Sequence, residues 1–461
     1  MRIRFCILAV LAALAVGLTV WSHGAIYAQR EAVDAEQVVL QGDAARAEGV
    51  SLEMRTSMDQ HLFWETEITA GPEITYHTDY TYSAEARRST RFYGSQGLWV
   101  DVMGNSGVTN GDWETEDQYG MQKPYNDVAS RCPAGTTDYT EVVRLRDYYQ
   151  VYPLYVLNSF DELLPASLEV ERFVIDGELD TPELQLQALL REYFPIPVPE
   201  DVTLEIRVDK DENGDVTGYG GGALQPFDTC SVVREGGVYF LFSSVPGERP
   251  LDTSLFPLGY GVYFLPVELT PTKIIDNYDA STIHFGDPVR VCPVDPSVEY
   301  AYLCGGEEGA MYLFTQQGDT LTLTVLDETG AAAQTLPVLE NLAEDDRMVN
   351  VWLREDFLVV DTASDRFRVV ETAGQACRAT LEGSLSAIWE EKALDPRYYE
   401  PTLDYDGERL AFAGELARNC ACFLALYGPE GLEYLGSYYL SLDREVDCYL
   451  EDDTPLTVRL P

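Results

Sequence analysis

Short hydrophobic or alternating runs follow one another through most of the chain, and each run is broken by Gly, Asp, Asn or Pro. Alternation with a period of two places side chains on opposite faces of a β-strand, and the breaking residues are those of turns. The clearest hairpin is 204–218, where Leu204, Ile206 and Val208 alternate with polar residues and Asn213-Gly214 supplies a tight turn. The pattern predicts a largely β body.

Groups of three such runs recur along the second half of the chain and predict three-stranded meanders. The predicted strands are 311–315, 321–326 and 335–338, then 349–353, 357–360 and 367–370, then 410–412, 422–427 and 432–438. Their recurrence is close to the period of about 40 to 50 residues that is typical of propeller blades. We therefore predict an all-β fold, a β-propeller of about six to eight blades, behind one N-terminal transmembrane or signal helix.

One segment of the body has helical periodicity. It covers 182–194, follows Thr181 as an N-cap and stops before Pro195. Its apolar stripe consists of Leu186, Leu189, Leu190 and Tyr193. The surrounding region, 51–200, fits the blade period less well, and its sequence allows either irregular blades or a separate β-rich subdomain.

The third meander begins with residues 401–413, P-T-L-D-Y-D-G-E-R-L-A-F-A. This segment resembles the repeat of TolB-type β-propellers, Ser-Pro-Asp-Gly-Lys followed by a small apolar strand that ends in Ala-Phe. Asp406 and Gly407 match the turn of that repeat, whereas Asp404 and Tyr405 stand where it has Ser and Pro. The resemblance covers one blade, implies a binding scaffold and transfers no catalytic residue.

The N-terminus reads as a membrane-targeting element. Arg2 and Arg4 precede an apolar run that extends from Phe5 to Tyr27, about as long as the roughly 20 residues that span a bilayer. The positive flank indicates a cytoplasmic N-terminus and a body on the outside. Cleavage after Ala28 would fit the signal-peptidase pattern poorly, which favours a retained single-pass anchor in the cell membrane over a secreted protein.

The domain prediction follows from these segments. Residues 1–28 form the membrane anchor or signal segment, and 29–50, rich in Ala, Glu and Gln, form a helical stalk or linker. Residues 51–461 form the extracytoplasmic β-rich body, which the sequence allows to be split near residue 200.

Net charge limits the partners. The chain carries 78 acidic and 31 basic residues, a formal charge of −47. Such a surface repels polyanions, so nucleic acid is excluded as a partner. The predicted partners are the membrane, through the N-terminal helix, and an envelope protein or a small ligand.

Eight of the nine cysteines lie beyond the N-terminal apolar run. Export permits disulfides, and Cys292 and Cys304 flank a turn-rich segment that they could close. Free buried cysteines, which behave as small hydrophobes, are the alternative. The scattered spacing, without C-x-x-C, argues against a zinc site.

One acidic segment has the beginning of a calcium-loop pattern. Asp209, Asp211, Asn213 and Asp215 alternate around the Asn-Gly turn, and these are the residues that would bind calcium. However, Gly220 stands at the twelfth position, where a bidentate glutamate is expected. A solvated hairpin tip is therefore the favoured interpretation, and no other cofactor is predicted.

Acidic residues adjoin Trp64, Trp113 and Trp389. Carbohydrate hydrolysis requires two carboxylates beside aromatic surfaces, but adjacency in so acidic a chain favours solvated charge beside core tryptophans. His61 and His77 fall in strand-like sequence and are expected to be structural or surface residues. No nucleophile elbow, Walker loop or dinucleotide fingerprint occurs in the sequence. No catalytic residue is assigned.

Two functions follow. The first is a membrane-anchored extracytoplasmic β-propeller-like module that binds or senses a ligand, and it is favoured because it accounts for the anchor, the meanders and the lack of motifs. The alternative is an exported carbohydrate-active hydrolase that uses paired carboxylates.

Overall fold

The computed structural model describes most of the chain. It covers residues 2–461 except 59–60, 85–96, 103–119, 157–162, 164–181, 223, 276–277, 307–308, 374–375, 393, 395–400, 417–419 and 443–455.

The helices in these ranges are α1 (Arg2–Arg30), α2 (Lys123–Arg131), α3 (Pro182–Tyr193) and α4 (Ser386–Trp389). The strands are β1 (Ala35–Gly42), β2 (Ser51–Met58), β3 (Leu62–Thr69), β4 (Thr75–Tyr82), β5 (Val100–Asp101), β6 (Tyr139–Arg144), β7 (Tyr155–Val156), β8 (Thr203–Lys210), β9 (Val216–Gly221), β10 (Asp228–Arg234), β11 (Gly237–Ser243), β12 (Gly261–Ile275), β13 (Tyr278–Phe285), β14 (Val289–Pro293), β15 (Tyr300–Gly305), β16 (Met311–Gln317), β17 (Thr320–Leu326), β18 (Ala332–Leu339), β19 (Met348–Leu353), β20 (Phe357–Thr362), β21 (Arg366–Ala373), β22 (Ala376–Ser384), β23 (Thr402–Tyr405), β24 (Leu410–Glu415), β25 (Ala421–Gly428), β26 (Gly431–Leu440) and β27 (Leu456–Arg459).

Most of the sheets contain an antiparallel meander, in which strands adjacent in sequence are adjacent in space. The orders β15-β16-β17-β18, β19-β20-β21-β22 and β10-β11-β12-β13 each describe one four-strand path, with β14 added beside β12. Four-stranded antiparallel sheets of this connectivity are the blades of β-propellers. The prediction of an all-β, propeller-type fold is confirmed, and all three predicted meanders lie on observed strands.

The chain divides into two compact units. Unit 1 consists of Met1–Tyr93, Val349–Glu371 and Ala379–Pro461, and unit 2 consists of Gly94–Met348 and Thr372–Arg378. This division does not fall near residue 200, where the sequence suggested a split. The reason is that the N-terminal strands complete sheets built from the C-terminal part of the chain.

Two sheets of unit 1 show this closure. In the order β27-β2-β3-β4, the last strand of the chain pairs with β2 from Ser51↔Arg459 to Met54↔Leu456. In the order β1-β26-β25-β24-β23, strand β1 pairs with β26 from Ala35↔Leu440 to Gly42↔Tyr434. Pairing strands from both chain ends in one sheet costs the entropy of closing a long loop, and the hydrogen bonds between the strands offset that cost. The added strands also cover edges that would otherwise be unpaired.

The prediction of a helical stalk at 29–50 is therefore wrong. Helix α1 ends at Arg30, and β1 (Ala35–Gly42) already belongs to a sheet of unit 1. The Ala, Glu and Gln content of this segment favours a helix locally, but the hydrogen-bond ladder with β26 outweighs that preference.

The apolar faces of the sheets make separate cores. In unit 1, one core joins Leu52 and Ile68 to Leu424 and Tyr438, and another joins Phe367 to the strands β24 and β25.

The turn of the TolB-like segment lies between β23 and β24, where Asp406 Oδ1 accepts hydrogen bonds from the main-chain N–H groups of Glu408 at 2.9 Å and Arg409 at 2.7 Å.

The core of unit 2 contains the predicted helix, α3. Its last turn leads into Phe194, which is fully buried and contacts Phe240, Phe242 and Tyr263 with ring centroids 5.4, 5.1 and 4.7 Å apart. Edge-on contacts, such as those with Phe240 and Tyr263, stabilise a packed core beyond simple area burial. Phe194 therefore fixes α3 to the sheet of β10 to β14.

Cys132, Cys230, Cys292, Cys304 and Cys377 carry free thiols. Cys292 lies on β14, which pairs with β12, whereas Cys304 lies on β15, which pairs with β16. The hairpin that a Cys292–Cys304 disulfide would have closed is not formed. Both side chains are buried, as expected of cysteines that pack as small hydrophobes.

Candidate functional site

A cleft of about 360 Å³ opens in unit 2. Its wall is formed by Trp99, Val100, Asp101, Tyr125, Gly220, Gly221, Gly222, Leu224, Gln225, Phe227, Asp228 and Thr229. This set combines aromatic rings, two carboxylates and a stretch of backbone without side chains. A cleft of this size suits a ligand as large as one sugar ring.

One side of the cleft is a segment that runs beside β10. The Leu98 N–H donates to Ser231 Oγ at 2.8 Å, and Thr229 Oγ1 donates to the carbonyl oxygen of Val100 at 3.5 Å. These contacts hold the segment of Asp101 beside β10, which carries Asp228. Two carboxylates that are far apart in sequence therefore share one wall.

Gly97 makes the close approach of this segment possible. Its φ is +137°, and a Cβ atom at this position would lie 2.1 Å from Ser231 Oγ. A side chain here would strain the backbone at this positive φ and displace Ser231 Oγ, which accepts the Leu98 N–H beside β10.

The floor of the cleft is the glycine run at the end of β9. Gly221 pairs with Ile206 of β8, and a Cβ atom on Gly221 would lie 2.4 Å from the carbonyl oxygen of Glu205. At Gly222 the corresponding space is open, with nothing within 4 Å. The run leaves main-chain polar groups accessible to a ligand without covering side chains.

Aromatic rings form the other walls. Trp99 is 56% exposed, which is unusual for so large an apolar side chain. Tyr125, on α2, packs edge-on against Tyr219 with centroids 5.7 Å apart, and burial raises the pKa of its hydroxyl. Phe227 is buried and contacts Phe242 at 5.2 Å. The rings thus offer apolar surface at fixed orientations.

The two carboxylates differ in environment. Asp228 is half-buried, and its desolvation raises its pKa although the Gln225 side-chain amide donates a hydrogen bond to it. Asp101 Oδ1 accepts the main-chain N–H of Val102 at 2.5 Å. Carboxylates accept hydrogen bonds from ligand hydroxyl groups, and aromatic faces pack on the C–H faces of sugar rings.

No family model matches this sequence. No curated protein matches it either. Among solved structures, it is similar to the β-propeller domain of Cps50 (Swd1) from Myceliophteria thermophila, with 10% identity, coverage of 51% of this chain and 92% of that one, and a TM-score of 0.21.

Two further solved structures are similar to the chain. One is a quinonprotein alcohol dehydrogenase-like protein from Bacteroides thetaiotaomicron, with 8% identity, coverage of 89% of this chain and 94% of that one, and a TM-score of 0.19. The other is a chimera of ACO and RPE65, with 10% identity, coverage of 87% and 92%, and a TM-score of 0.21. The blade assignment rests on the strand connectivity described above.

The predicted calcium segment is the tip of the β8–β9 hairpin. Asp211 Oδ1 accepts the main-chain N–H groups of Asn213 and Asp215, both at 2.9 Å, and the bond from Asp215 is the main cause of a lowered Asp211 pKa. Asp209 Oδ1 accepts the N–H of Asp138 at 2.6 Å. Asp211 thus stabilises its own turn, whereas Asp209 binds the residue before β6. Calcium binding at this tip stays a prediction.

More generally, the described part of the chain contains no group of three or more His, Cys, Asp or Glu side chains arranged to hold a metal ion. The two histidines singled out in the sequence, His61 and His77, lie beside polar groups of the protein. His61 Nδ1 lies 2.8 Å from the carbonyl oxygen of Ser83, and His77 is exposed beside Asp79, with 3.3 Å between Nε2 and Oδ1.

The tryptophans singled out in the sequence do not line the cleft. Trp64 is buried, Trp389 is half-buried at the end of α4, and Trp113 lies outside the described residues. Beside Trp64, Glu65 shares a hydrogen bond with Glu53, which raises the pKa of Glu65 on the exposed face of the sheet. Sequence analysis missed Trp99, although Trp99 stands two positions before a carboxylate.

Proposed function

We propose that this protein is a membrane-anchored, extracytoplasmic β-propeller-type binding module whose ligand site is the cleft of unit 2. The observation that carries the proposal is that exposed Trp99, Asp101 and Asp228 line one cleft, whose floor is the main chain of a glycine run. Apolar surface beside hydrogen-bond acceptors suits a small ligand rich in hydroxyl groups, of the carbohydrate class.

The anchoring part of the proposal is supported by α1. Its segment Leu11–Arg30 has a mean hydropathy of 1.4, and 0% of it is buried in the protein. An exposed apolar helix of 20 residues requires an apolar environment, which a bilayer supplies. Arg2 and Arg4 before it favour the orientation with the N-terminus in the cytoplasm and both units outside.

The binding proposal is tested with the full-length protein in detergent by saturation-transfer NMR and calorimetry against neutral mono- and disaccharides. We expect at least one sugar to bind, and Trp99→Ala to weaken that binding by about tenfold or more, because stacking surface is lost. Tyr76→Ala, which removes an exposed ring outside the cleft, is the matched control and should bind as the wild type does. Absence of binding to every sugar would overturn the proposal.

A second candidate function uses the same cleft. Two carboxylates, Asp101 and Asp228, line the cleft, and burial raises the pKa of Asp228, which is the direction that favours a general acid in glycoside hydrolysis. Release of reducing sugar from an oligosaccharide, abolished in both Asp228→Asn and Asp101→Asn, would establish hydrolysis. Binding without turnover would leave the binding module as the function.

A further inference from the structure

The end of α1 is attached to unit 1 by side-chain and ring contacts. Trp64 Nε1 donates a hydrogen bond to the carbonyl oxygen of Arg30 at 3.0 Å, and the Arg30 guanidinium lies 5.9 Å from the centre of the Trp64 ring. Tyr27 packs edge-on against Tyr80 of β4, with centroids 5.0 Å apart. The last carbonyl groups of a helix need partners, and here a side chain of the body supplies one.

The connection from α1 to β1 is short and is itself held at both ends. The Glu31 N–H donates to the carbonyl oxygen of Tyr27 at 2.9 Å, and Val33 is buried. Asp34 exchanges hydrogen bonds with Ser441, its N–H donating to Ser441 Oγ at 2.8 Å and its carbonyl oxygen accepting the Ser441 N–H at 2.8 Å. These contacts along the short connection hold the sheets of unit 1 close to the end of α1.

The strand beside the helix end carries exposed tyrosines. Tyr76 and Tyr82 of β4 are 41% and 56% exposed, and the Tyr76 hydroxyl donates to Asp34 Oδ1 at 3.3 Å. Tyrosine is enriched at the level of lipid headgroups, where its ring meets apolar chains and its hydroxyl meets water. The apolar part of α1 ends within the same few residues.

We propose that unit 1 docks on the outer surface of the bilayer through β4, with Tyr76 and Tyr82 in the headgroup layer around the end of α1. The docking rests on the proposed anchoring. It goes beyond that proposal because an anchor alone would allow the body to move independently of the bilayer surface. The occupant of the β4 surface is the lipid interface. The docking requires that α1 be retained, since cleavage after Ala28 would remove the Tyr27–Tyr80 contact.

The test uses the full-length protein in phosphatidylcholine nanodiscs with the photoreactive residue p-benzoylphenylalanine in place of Tyr82. We expect lipid adducts at this position, found by mass spectrometry. The matched control places the same residue at Glu355, an exposed position of unit 1 in the turn between β19 and β20. Equal adduct yields at the two positions would overturn the docking.

A second measurement examines the contact at the helix end. Trypsin cleavage after Arg30 should be slow in nanodiscs. Trp64→Phe keeps a ring but loses the N–H donor, and it should accelerate cleavage about fivefold, because the net contribution of one hydrogen bond to local stability is lost. An unchanged rate would contradict a docked helix end.

Extraction with alkaline carbonate separates the two proposals. Wild-type protein that leaves the membrane would overturn the anchor itself. Protein that stays in the membrane, but shows neither the lipid adduct nor the protected Arg30 site, would overturn the docking alone.

Discussion

Asp361, on β20, accepts hydrogen bonds from both nitrogen atoms of Asn350 on β19. The main-chain N–H of Asn350 donates to Asp361 Oδ1 at 2.7 Å, and Asn350 Nδ2 lies 3.1 Å from each carboxylate oxygen. Asp361 is buried, and desolvation outweighs these bonds and raises its pKa from 3.8 to about 6. The folded protein therefore holds a proton on Asp361 at pH values where the unfolded chain has lost it.

This raised pKa makes stability depend on pH. Its contribution is complete below about pH 4 and is lost as pH rises through about 6, because the unfolded state then binds fewer protons than the folded state. A shift of this size corresponds to about 3 kcal/mol in the free energy of unfolding. Wild type and Asp361→Asn should therefore differ in the slope of stability against pH between about 4 and 7, with the flatter slope in the variant.

The measurement is urea unfolding of the full-length protein in detergent across that pH range. Asp356→Asn, which removes an exposed carboxylate from the turn between β19 and β20, is the control and should keep the wild-type slope. Parallel slopes for wild type and Asp361→Asn would show that Asp361 is ionised in the folded protein at these pH values.

The floor of the cleft gives a matched pair of substitutions. Gly221→Ala places a Cβ atom 2.4 Å from the Glu205 carbonyl oxygen, so β8 and β9 must separate, whereas Gly222→Ala meets nothing within 4 Å. We expect Gly221→Ala to lower the free energy of unfolding by about 1 to 3 kcal/mol and to weaken ligand binding. Gly222→Ala should change stability by no more than about 0.5 kcal/mol. Thermal unfolding of both variants checks the contrast, and equal Tm values would refute it.

The core of unit 2 depends on Phe194. Phe194→Ala removes the ring that contacts Phe240, Phe242 and Tyr263 and leaves a cavity, at an expected cost of about 3 to 5 kcal/mol. Phe194→Leu, which refills much of the volume, should recover part of this loss, and Glu192→Ala on the same helix should have little effect. A small loss for Phe194→Ala, measured by urea unfolding, would mean that α3 is not fixed to the sheet through this ring.

The sequence predicts the strands, the three meanders and α3 because each depends on periodicity within a short segment. The closure of the two sheets of unit 1 and the formation of the cleft depend on contacts between residues that are distant in sequence. Val39 and Val38 of β1 lie in a segment of helix-forming composition, and only their pairing with β26 makes a strand. Likewise, Asp101 and Asp228 line one cleft because Ser231 and Thr229 bind the main chain of another segment, and no local pattern contains that information.

The cysteines whose side chains are described should be unreactive in the folded protein. Burial raises the pKa of Cys230 to about 12 and of Cys377 to about 11, and it raises the pKa of Cys292 and Cys304 as well. Only thiolates react with Ellman's reagent, so labelling at pH 8 should be slow until urea unfolds the chain.

Cys6→Ser and Cys448→Ser remove the two thiols whose side chains are not described, which leaves the other seven cysteines to be measured. An added thiol at the exposed Thr335→Cys position should react at once and calibrates the assay. Because Cys292 and Cys304 lie in different sheets, their peptides should separate in mass spectrometry without reductant. A linked Cys292–Cys304 peptide would contradict the observed pairing of β14 with β12 and of β15 with β16.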